Sequence, residues 1–361
     1  LMGGYHMGSG EVSYNTVEVS GGTVNGSISG GDSAGDVIGN SVVMANVDVQ
    51  VLRGGYSSAA DATGNSVVMK SGSTTGTAFG GDGHVSATGN SFTLEGGTVG
   101  KNLIGGLARN GDATGNMVAI SDGTVTGNTI GGKSEDRNGG SATGNSVLIS
   151  GGNAGQFVVG GSSSTGLAEN NAVVMTGGTA GTVNGGESSD NTVSGNSVSF
   201  SGGTANYLQG GWTNSGNASN NIVNVDGGTV IYNVLGGSVD TGSGSASGNL
   251  VAISGGTIEG GVFGGHAGGS GNATDNTVRL SGSADLAAST IYGGLTSTGD
   301  AVTGNTLEVS GTQTALDVKN FDTYAFTLAS LPESGSSLLT LTSGSGSDIS
   351  GSTLSVSIPG F

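Results

Sequence analysis

The chain has 361 residues, of which 78 are glycine and none is cysteine, and its 26 acidic and 8 basic residues give a net charge of −18. So much glycine disfavours long helices, the lack of cysteine excludes disulfides and thiolate metal sites, and the acidic balance argues against a nucleic-acid partner. The 33% apolar content and the absence of a Gly-X-Y period favour a regular β repeat over collagen or a flexible linker.

An asparagine recurs along the chain every 25 to 29 residues, and a short apolar alternation follows it each time. The apolar residues stand at the second and fourth places, as in Phe92 and Leu94, which is the period of a strand with one buried face. By the same parity the asparagine points inward, where copies in stacked coils can hydrogen-bond to one another. This predicted Asn ladder comprises Asn15, Asn40, Asn65, Asn90, Asn116, Asn145, Asn171, Asn196, Asn221, Asn249, Asn276 and Asn305.

The rest of each repeat predicts two further elements. A Ser-Gly-Gly-Thr segment such as Ser254–Thr257 indicates a turn in which glycine supplies a positive φ. A second strand follows, which we expect to end at a pair of glycines such as Gly54 and Gly55. A polar connection of variable length then closes on Ala-Thr-Gly-Asn, as at Ala62–Asn65.

One such unit cannot bury its apolar row alone, whereas stacked copies can. The sequence therefore predicts an all-β fold, a single-stranded β-solenoid of about 12 coils of 25–29 residues, expected to be a right-handed β-helix with a C-terminal β cap. No apolar run reaches 18 residues, so we expect no direct membrane insertion by this segment.

The repeat Ala-Thr-Gly-Asn-Ser-Val-x-Φ-Ser-Gly-Gly-Thr-Val, where Φ is apolar, resembles the Gly-rich passenger domains of bacterial autotransporters (type V secretion) over nearly the whole chain. Residues 320–328 (Asn-Phe-Asp-Thr-Tyr-Ala-Phe-Thr-Leu), followed by Leu331-Pro332 and Leu338–Thr342, resemble the junction between a passenger and its translocator barrel. The resemblance implies Gly-rich solenoid repeats over residues 1–310. It also implies a capping or junction segment over residues 311–361, leading to a barrel outside this sequence.

Two motifs carry the letters of catalytic signatures. Gly127–Ser134 fits a phosphate loop, but such a loop needs a helix after it, and aligned coils carry Asp32, Asp82 or Ser162 at the place of Lys133. Residues 31–35 (Gly-Asp-Ser-Ala-Gly) fit a nucleophile elbow, which paired glycines followed by serine produce by repetition. A calcium repeat would need an Asp at fixed spacing in every turn, and that Asp is missing. We therefore expect no catalytic residue, no cofactor and no metal site.

Large side chains stand immediately after some of the glycine pairs, where other coils carry Asp, Ser or Glu. Exposed aromatic residues can anchor a protein partner or a sugar ring, so this position is a candidate binding edge, together with the variable polar connections. The alternative is that these side chains pack over their own loops. The candidates are Tyr5, Tyr56, Leu107, Trp212, His266 and Leu295.

The outward places of the strand after the ladder asparagine carry apolar residues in two pairs of adjacent coils. Val43 and Val68 form one pair, and Leu148 and Val174 form the other. Stacked apolar residues on a solvent-exposed strand face suggest self-association. The alternative is that another part of the chain covers them.

These patterns predict a non-catalytic, adhesin-like passenger that acts at the bacterial cell surface, either anchored in the outer membrane through the barrel or secreted. Its expected partners are a host or bacterial surface glycan or protein, or a second copy of the chain, besides the translocator barrel of the full-length protein. A structural stalk or spacer for a missing N-terminal domain stays open as an alternative. So does a polysaccharide-active β-helix enzyme or a phage-type fibre.

Overall fold

A computed structural model of the chain describes residues 1–298, 301–328, 335–344, 347 and 349–358. The chain forms two compact units, Leu1–Asn191 and Thr192–Phe361, called here the first unit and the second unit. Both are built from stacked parallel strands, about 13 solenoid turns in the whole chain, and the described ranges contain no helix. The predicted all-β, single-stranded β-solenoid is confirmed.

Each full turn of the solenoid contributes strands to separate rows, named here by what the strands contain. The Asn row follows the ladder asparagines and comprises Ser66–Met69, Ser91–Leu94, Met117–Ile120, Ser146–Ile149, Ala172–Met175, Ser197–Phe200, Thr277–Leu280, Thr306–Ser310, Thr323–Thr327 and Thr353–Ser357. The Gly row contains the paired glycines and comprises Met2–His6, Ala78–Gly83, Leu103–Ala108, Thr129–Ser134, Phe157–Ser163, Thr179–Ser188, Thr204–Thr213, Val234–Val239, Val262–Ala267, Leu286–Thr296, Gln313–Lys319 and Leu339–Leu341.

The remaining strands either connect these two rows or lie immediately before a ladder asparagine. Two long strands run through both rows, Thr16–Ser33 and Ser41–Ser57. Two strands extend the Asn row through the turn, Ile222–Val230 and Leu250–Ile258. Three short strands lie in the turn itself, Gly72–Thr74, Thr98–Val99 and Thr124–Val125. The short row comprises Val12–Ser13, Val37–Ile38, Ala62–Thr63, Ala87–Thr88, Ala113–Thr114, Ala142–Thr143, Ala168–Glu169, Val193–Ser194, Ala218–Ser219, Ala246–Ser247 and Ala273–Thr274.

Equivalent residues of neighbouring coils lie in register. Phe92 pairs with Val118, which pairs with Val147, and all three are fully buried. Val, Ile and Leu at the second and fourth places of the Asn row thus stack into columns, which form the core together with the alanines of the short row, such as Ala62. The predicted alternation is confirmed, and stacking is what buries each apolar row.

The Asn ladder is present in both units. The Oδ1 atom of Asn65 accepts hydrogen bonds from the backbone nitrogen and the Nδ2 atom of Asn40 (3.0 and 3.1 Å), while its own Nδ2 donates to Asn90 Oδ1 (3.0 Å) and Val37 O (2.9 Å). Because this amide uses all its donors and acceptors, its burial is fully compensated. Such side-chain rungs connect Asn15 through Asn171 in the first unit and Asn196 through Asn305 in the second.

The paired glycines correct a prediction. The second strand does not end at them: Leu103–Ala108 continues for two residues beyond its pair. A Cβ atom on Gly237 would lie 2.6 Å from the Nδ2 atom of Asn249, and one on Gly236 would overlap the carbonyl oxygen of Gly264 in the next coil. These glycines permit close approach of the ladder and of the neighbouring backbone.

Positive φ is found instead at the two predicted turns. The second glycine of the Ser-Gly-Gly turn has it, as at Gly256 (φ +83°), and so does the residue before each ladder asparagine, as at Gly64 (φ +63°). The left-handed conformation of the residue before each ladder asparagine explains why glycine recurs there, as in Thr-Gly-Asn.

Strands continue beyond residue 310 in parallel register. Thr306–Ser310 pairs with Thr323–Thr327, which pairs with Thr353–Ser357. The Oδ2 atom of Asp322 accepts a hydrogen bond from the Asn305 nitrogen (3.2 Å) only 17 residues further along the chain, so a carboxylate takes the place of the next amide. The β character predicted for this segment is confirmed where the structure describes it, whereas Leu331 and Pro332 lie outside the described residues.

Candidate binding groove

The Gly row bends outward at the paired glycines. Residues three apart on a straight strand point to opposite faces, yet the Arg53 guanidinium lies 4.5 Å from the centroid of the Tyr56 ring. Likewise, the Phe263 and His266 rings lie 6.2 Å apart. The residues immediately before the glycine pairs, called the leading column, therefore face those immediately after, called the trailing column. The surface between the two columns is called the groove.

All six predicted binding-edge residues lie in the trailing column, in direct register with residues of the adjacent coils. In the first unit Asp32 separates Tyr5 from Tyr56. In the second unit, Trp212 pairs with Ser238, Ser238 with His266, and His266 with Leu295. The structure thus brings the candidates of each unit onto one face, within strands rather than in the variable connections.

Exposure differs among the candidates. Tyr5 is 59% exposed, and Tyr56, Trp212, His266 and Leu295 are half-buried.

The remaining candidate, Leu107, is only 3% exposed, so its predicted exposure is wrong. Leu107 packs in a cluster with the leading-column residues Phe79, Ile104, Ile130 and Val159. Apolar side chains of the two columns cover one another where both columns are apolar, which removes Leu107 from the binding surface.

Charged residues dominate the rest of the first-unit groove. The buried Asp82 carboxylate accepts two hydrogen bonds from Arg109, Nε to Oδ1 at 3.1 Å and Nη2 to Oδ2 at 3.0 Å, and its Oδ2 atom lies 3.5 Å from Arg53 Nε. Burial raises the pKa of Asp82, and the attraction of Arg109 and Arg53 offsets this only in part. Burial also raises the pKa of Asp32, against the attraction of Arg53.

The same pairing continues along the first unit. Lys133 Nζ donates to Glu135 Oε1 at 2.8 Å, and Asn184 Nδ2 donates to Glu187 Oε2 at 3.4 Å. Burial raises the pKa of Glu187, with Asn184 and Lys133 acting in the opposite direction. Charged groups in this part of the groove therefore pair with one another, but the buried Arg53 Nε and Asn184 Oδ1 atoms have no hydrogen-bond partner among the described residues.

The second-unit groove is uncharged between Gln209 and Leu295, and Lys319 follows Tyr292 in the leading column of the next coil. Its leading column is Gln209, Leu235, Phe263 and Tyr292, and its trailing column is Trp212, Ser238, His266 and Leu295. The Phe263 and Tyr292 rings stack at 4.9 Å with an interplanar angle of 3°. Burial lowers the pKa of His266, while Asp240 opposes this shift.

The polar side chains of this part of the groove lack hydrogen-bond partners within the described part of the chain. Across the ranges that the structure describes, the polar side-chain atoms of Gln209, Trp212, Ser238, His266 and Tyr292 have no intramolecular hydrogen-bond partner. The second-unit groove therefore presents donors and acceptors that are free to bind a ligand.

The residues of the predicted self-association face lie in register, and self-association itself stays a prediction. Val43 pairs with Val68, and Leu148 with Val174, in adjacent coils. Leu148 is 43% and Val174 37% exposed, so coverage by another part of the chain, the alternative interpretation, is wrong for this pair. Val43 and Val68 are half-buried.

Sequence reasoning missed the leading column and one serine position. Ser33 Oγ donates to Gly10 O (2.6 Å) and accepts from Gly35 N (2.9 Å), and Ser57, the equivalent residue of the next coil, donates to Gly35 O (2.8 Å). The serine of the elbow-like motif thus fastens the connection to the strand. The recurrence of Gly-Gly-x-Ser could have revealed this role.

The phosphate-loop letters fall on strand Thr129–Ser134, which is followed by the loop around Glu135. Within the described ranges, no three His, Asp or Glu side chains are grouped so that they could hold a metal ion. The same ranges include no helix of the length and apolarity needed to cross a membrane. No family model, curated protein or solved structure matches this chain.

Proposed function

We propose that this chain is a non-catalytic recognition module of the bacterial cell surface and binds its partner in the second-unit groove. The repeat's resemblance to autotransporter passengers supports the location, which would be either outer-membrane anchored through a barrel or secreted. The solenoid supports the role, because stacked coils present a long, regular surface built from outward side chains.

The uncharged, partly apolar lining of the second-unit groove between Gln209 and Leu295 carries the proposal. In the first-unit groove, Asp82 is bound by Arg109, and Glu187 by Asn184. In the second-unit groove, Trp212 and Gln209 keep their polar atoms unpaired beside apolar surface. Binding sites combine apolar area with a few free, oriented polar groups, which describes the second unit.

Binding without catalysis fits the titratable groups. General acid–base catalysis needs a proton donor or acceptor poised at the reacting atoms. Between Gln209 and Leu295 the described residues of the two columns include His266 and Tyr292 as titratable groups, and no carboxylate pair such as glycoside hydrolysis uses.

The proposal is tested with beads coated with the full chain and applied to fixed epithelial cells. The variant Trp212→Ala/His266→Ala should reduce bead adhesion roughly tenfold, because buried aromatic anchors commonly contribute over 1 kcal/mol each. Tyr232→Ala is the matched control, since Tyr232 is 49% exposed and its ring contacts the Tyr207 ring (centroids 4.9 Å apart, tilted by 32°), and neither residue belongs to the two columns. Undiminished adhesion of the double variant would overturn the assignment.

Self-association is a second candidate function, which the exposed Leu148–Val174 pair favours. Sedimentation velocity of the purified chain should show a dimer that Leu148→Ser/Val174→Ser converts to monomer. A monomeric wild-type chain at every concentration tested would exclude this role.

A further inference from the structure

We propose that the ligand of the second-unit groove is an uncharged, extended β-1,4-linked polysaccharide lying along the groove with one sugar residue per coil. This inference rests on the proposed function and names the ligand class for the same site.

Charge selects against an anionic ligand. The chain carries a net charge of −18, and the second-unit groove has no Lys or Arg in either column between Gln209 and Leu295. Lys319, which follows Tyr292 in the leading column, is paired with Asp317 (Nζ to Oδ2, 3.3 Å). The cations of the first-unit groove also lie beside carboxylates, Arg53 and Arg109 beside Asp82 and Lys133 beside Glu135. An acidic polysaccharide would approach negative charge without a free cation to bind it.

The free polar groups suit hydroxyl groups. The Gln209 amide can both donate and accept, Trp212 Nε1 can donate, and the Ser238 and Tyr292 hydroxyls can do either. These groups are neutral, and they lie among the apolar surfaces of Leu235 and Phe263. A sugar residue has the matching character, with hydroxyls around its rim and C–H groups on its faces.

The spacing along the groove suits a linear chain. Adjacent coils are about 4.8 Å apart, as parallel strands are, which is close to the advance per sugar in an extended β-1,4 chain. Large trailing-column rings stand two coils apart, at Trp212 and His266, with the small Ser238 between them. A two-fold β-1,4 chain presents the same ring face at every second sugar, so its apolar faces recur with the rings.

The single tryptophan of the chain, Trp212, reports on this site directly. The full chain is titrated with cellohexaose, with maltohexaose, which has the same sugar but a curved α-1,4 chain, and with hexagalacturonate, which is anionic. Cellohexaose should change the Trp212 emission in a saturable way, and the other two should bind at least roughly tenfold more weakly, a difference of about 1.4 kcal/mol.

Two variants keep the reporter in place. Ser238→Phe should fill the column between Trp212 and His266 and abolish the response, and Gln209→Ala should weaken it roughly tenfold by removing one hydrogen-bonding group in the groove. Tyr232→Ala is the control and should titrate like the wild type. Circular dichroism establishes that each variant is folded, and Gln209→Ala provides the test if Ser238→Phe does not fold.

The outcomes separate the two proposals. A preference for hexagalacturonate, equal binding of maltohexaose, or no response to cellohexaose would overturn the ligand class, while bead adhesion that still depends on Trp212 would leave the groove as the binding site. Adhesion independent of Trp212 would overturn the proposed function itself. Cleavage of cellohexaose during the titration would contradict its non-catalytic character.

Discussion

The first-unit and second-unit grooves share one backbone bend but differ in what their side chains do. In the first unit charged residues pair with one another, as Asp82 does with Arg109, although the buried Arg53 Nε and Asn184 Oδ1 atoms have no hydrogen-bond partner among the described residues. In the second unit the polar atoms of Gln209 and its neighbours are unpaired within the described ranges. The repeat therefore fixes where a groove residue lies, and the pairing among side chains decides whether that residue stabilises the fold or is free to bind.

The largest expected effect concerns what the two units share. Asn65→Ala in the first unit and Asn249→Ala in the second should each lower the free energy of unfolding by about 3 kcal/mol, because each leaves buried donors and acceptors of the next rungs unpaired. Urea denaturation measures this, with the exposed Asn25→Ala as control, expected within about 0.5 kcal/mol of wild type. A small effect in one unit only would show that the ladder does not stabilise both units alike.

The next effect separates the units. Asp82→Ala should lower the free energy of unfolding by about 1–3 kcal/mol, because it removes a buried carboxylate that pairs with Arg109 and Arg53. Bead adhesion should stay unchanged. Trp212→Ala should reduce bead adhesion, and it should lower the free energy of unfolding less than Asp82→Ala does. If Asp82→Ala abolished adhesion while the chain stayed folded, the first-unit groove would be a binding site too.

The pH dependence of stability should have opposite signs in the two grooves. Because burial raises the pKa of Glu187 above its ordinary value of 4.5, its contribution to stability is present below pH 4.5 and is lost as pH rises through the raised pKa. Glu187→Gln should remove this dependence. The difference between wild-type and variant unfolding free energies, measured by urea denaturation across that range, checks the sign.

His266 should act in the other direction. Because burial lowers its pKa below 6.5, its contribution is present above pH 6.5 and is lost as pH falls from 6.5 through the lowered pKa. His266→Gln should flatten the profile over that range. A wild-type chain that became more stable relative to the variant on acidification would contradict the burial of the imidazole.

The smallest effect compares two leading-column amides. Asn184→Ala removes the hydrogen bond to the Glu187 carboxylate and should lower the free energy of unfolding by about 1 kcal/mol. Gln209→Ala removes an amide with no partner in the described residues and should stay within about 0.5 kcal/mol of wild type. Urea denaturation of both variants makes the comparison, and equal losses would show that the Gln209 amide is not free.

Much of the fold was predictable because it repeats. The ladder asparagines and the apolar places of the Asn row, such as Phe92 and Leu94, follow from one register seen many times. The prediction that the strand ends at the paired glycines is wrong because glycine composition does not distinguish a strand end from the close approach that Asn249 imposes on Gly237.

The groove was less predictable for the same reason. A residue three places earlier lies on the opposite face of a straight strand, so the contact between Arg53 and Tyr56 requires knowledge of the bend. The burial of Leu107 depends on Ile104 in its own coil and on Phe79 and Ile130 in the neighbouring ones. Pairwise complementarity of this kind follows no repeat period.

Bead adhesion of two matched double variants tests the account most directly. Tyr5→Ala/Tyr56→Ala removes the large aromatic residues of the first-unit trailing column, and Trp212→Ala/His266→Ala removes those of the second unit. The account predicts wild-type adhesion for the first variant and roughly tenfold lower adhesion for the second. Loss of adhesion confined to the Tyr5/Tyr56 variant would contradict the placement of recognition in the second-unit groove.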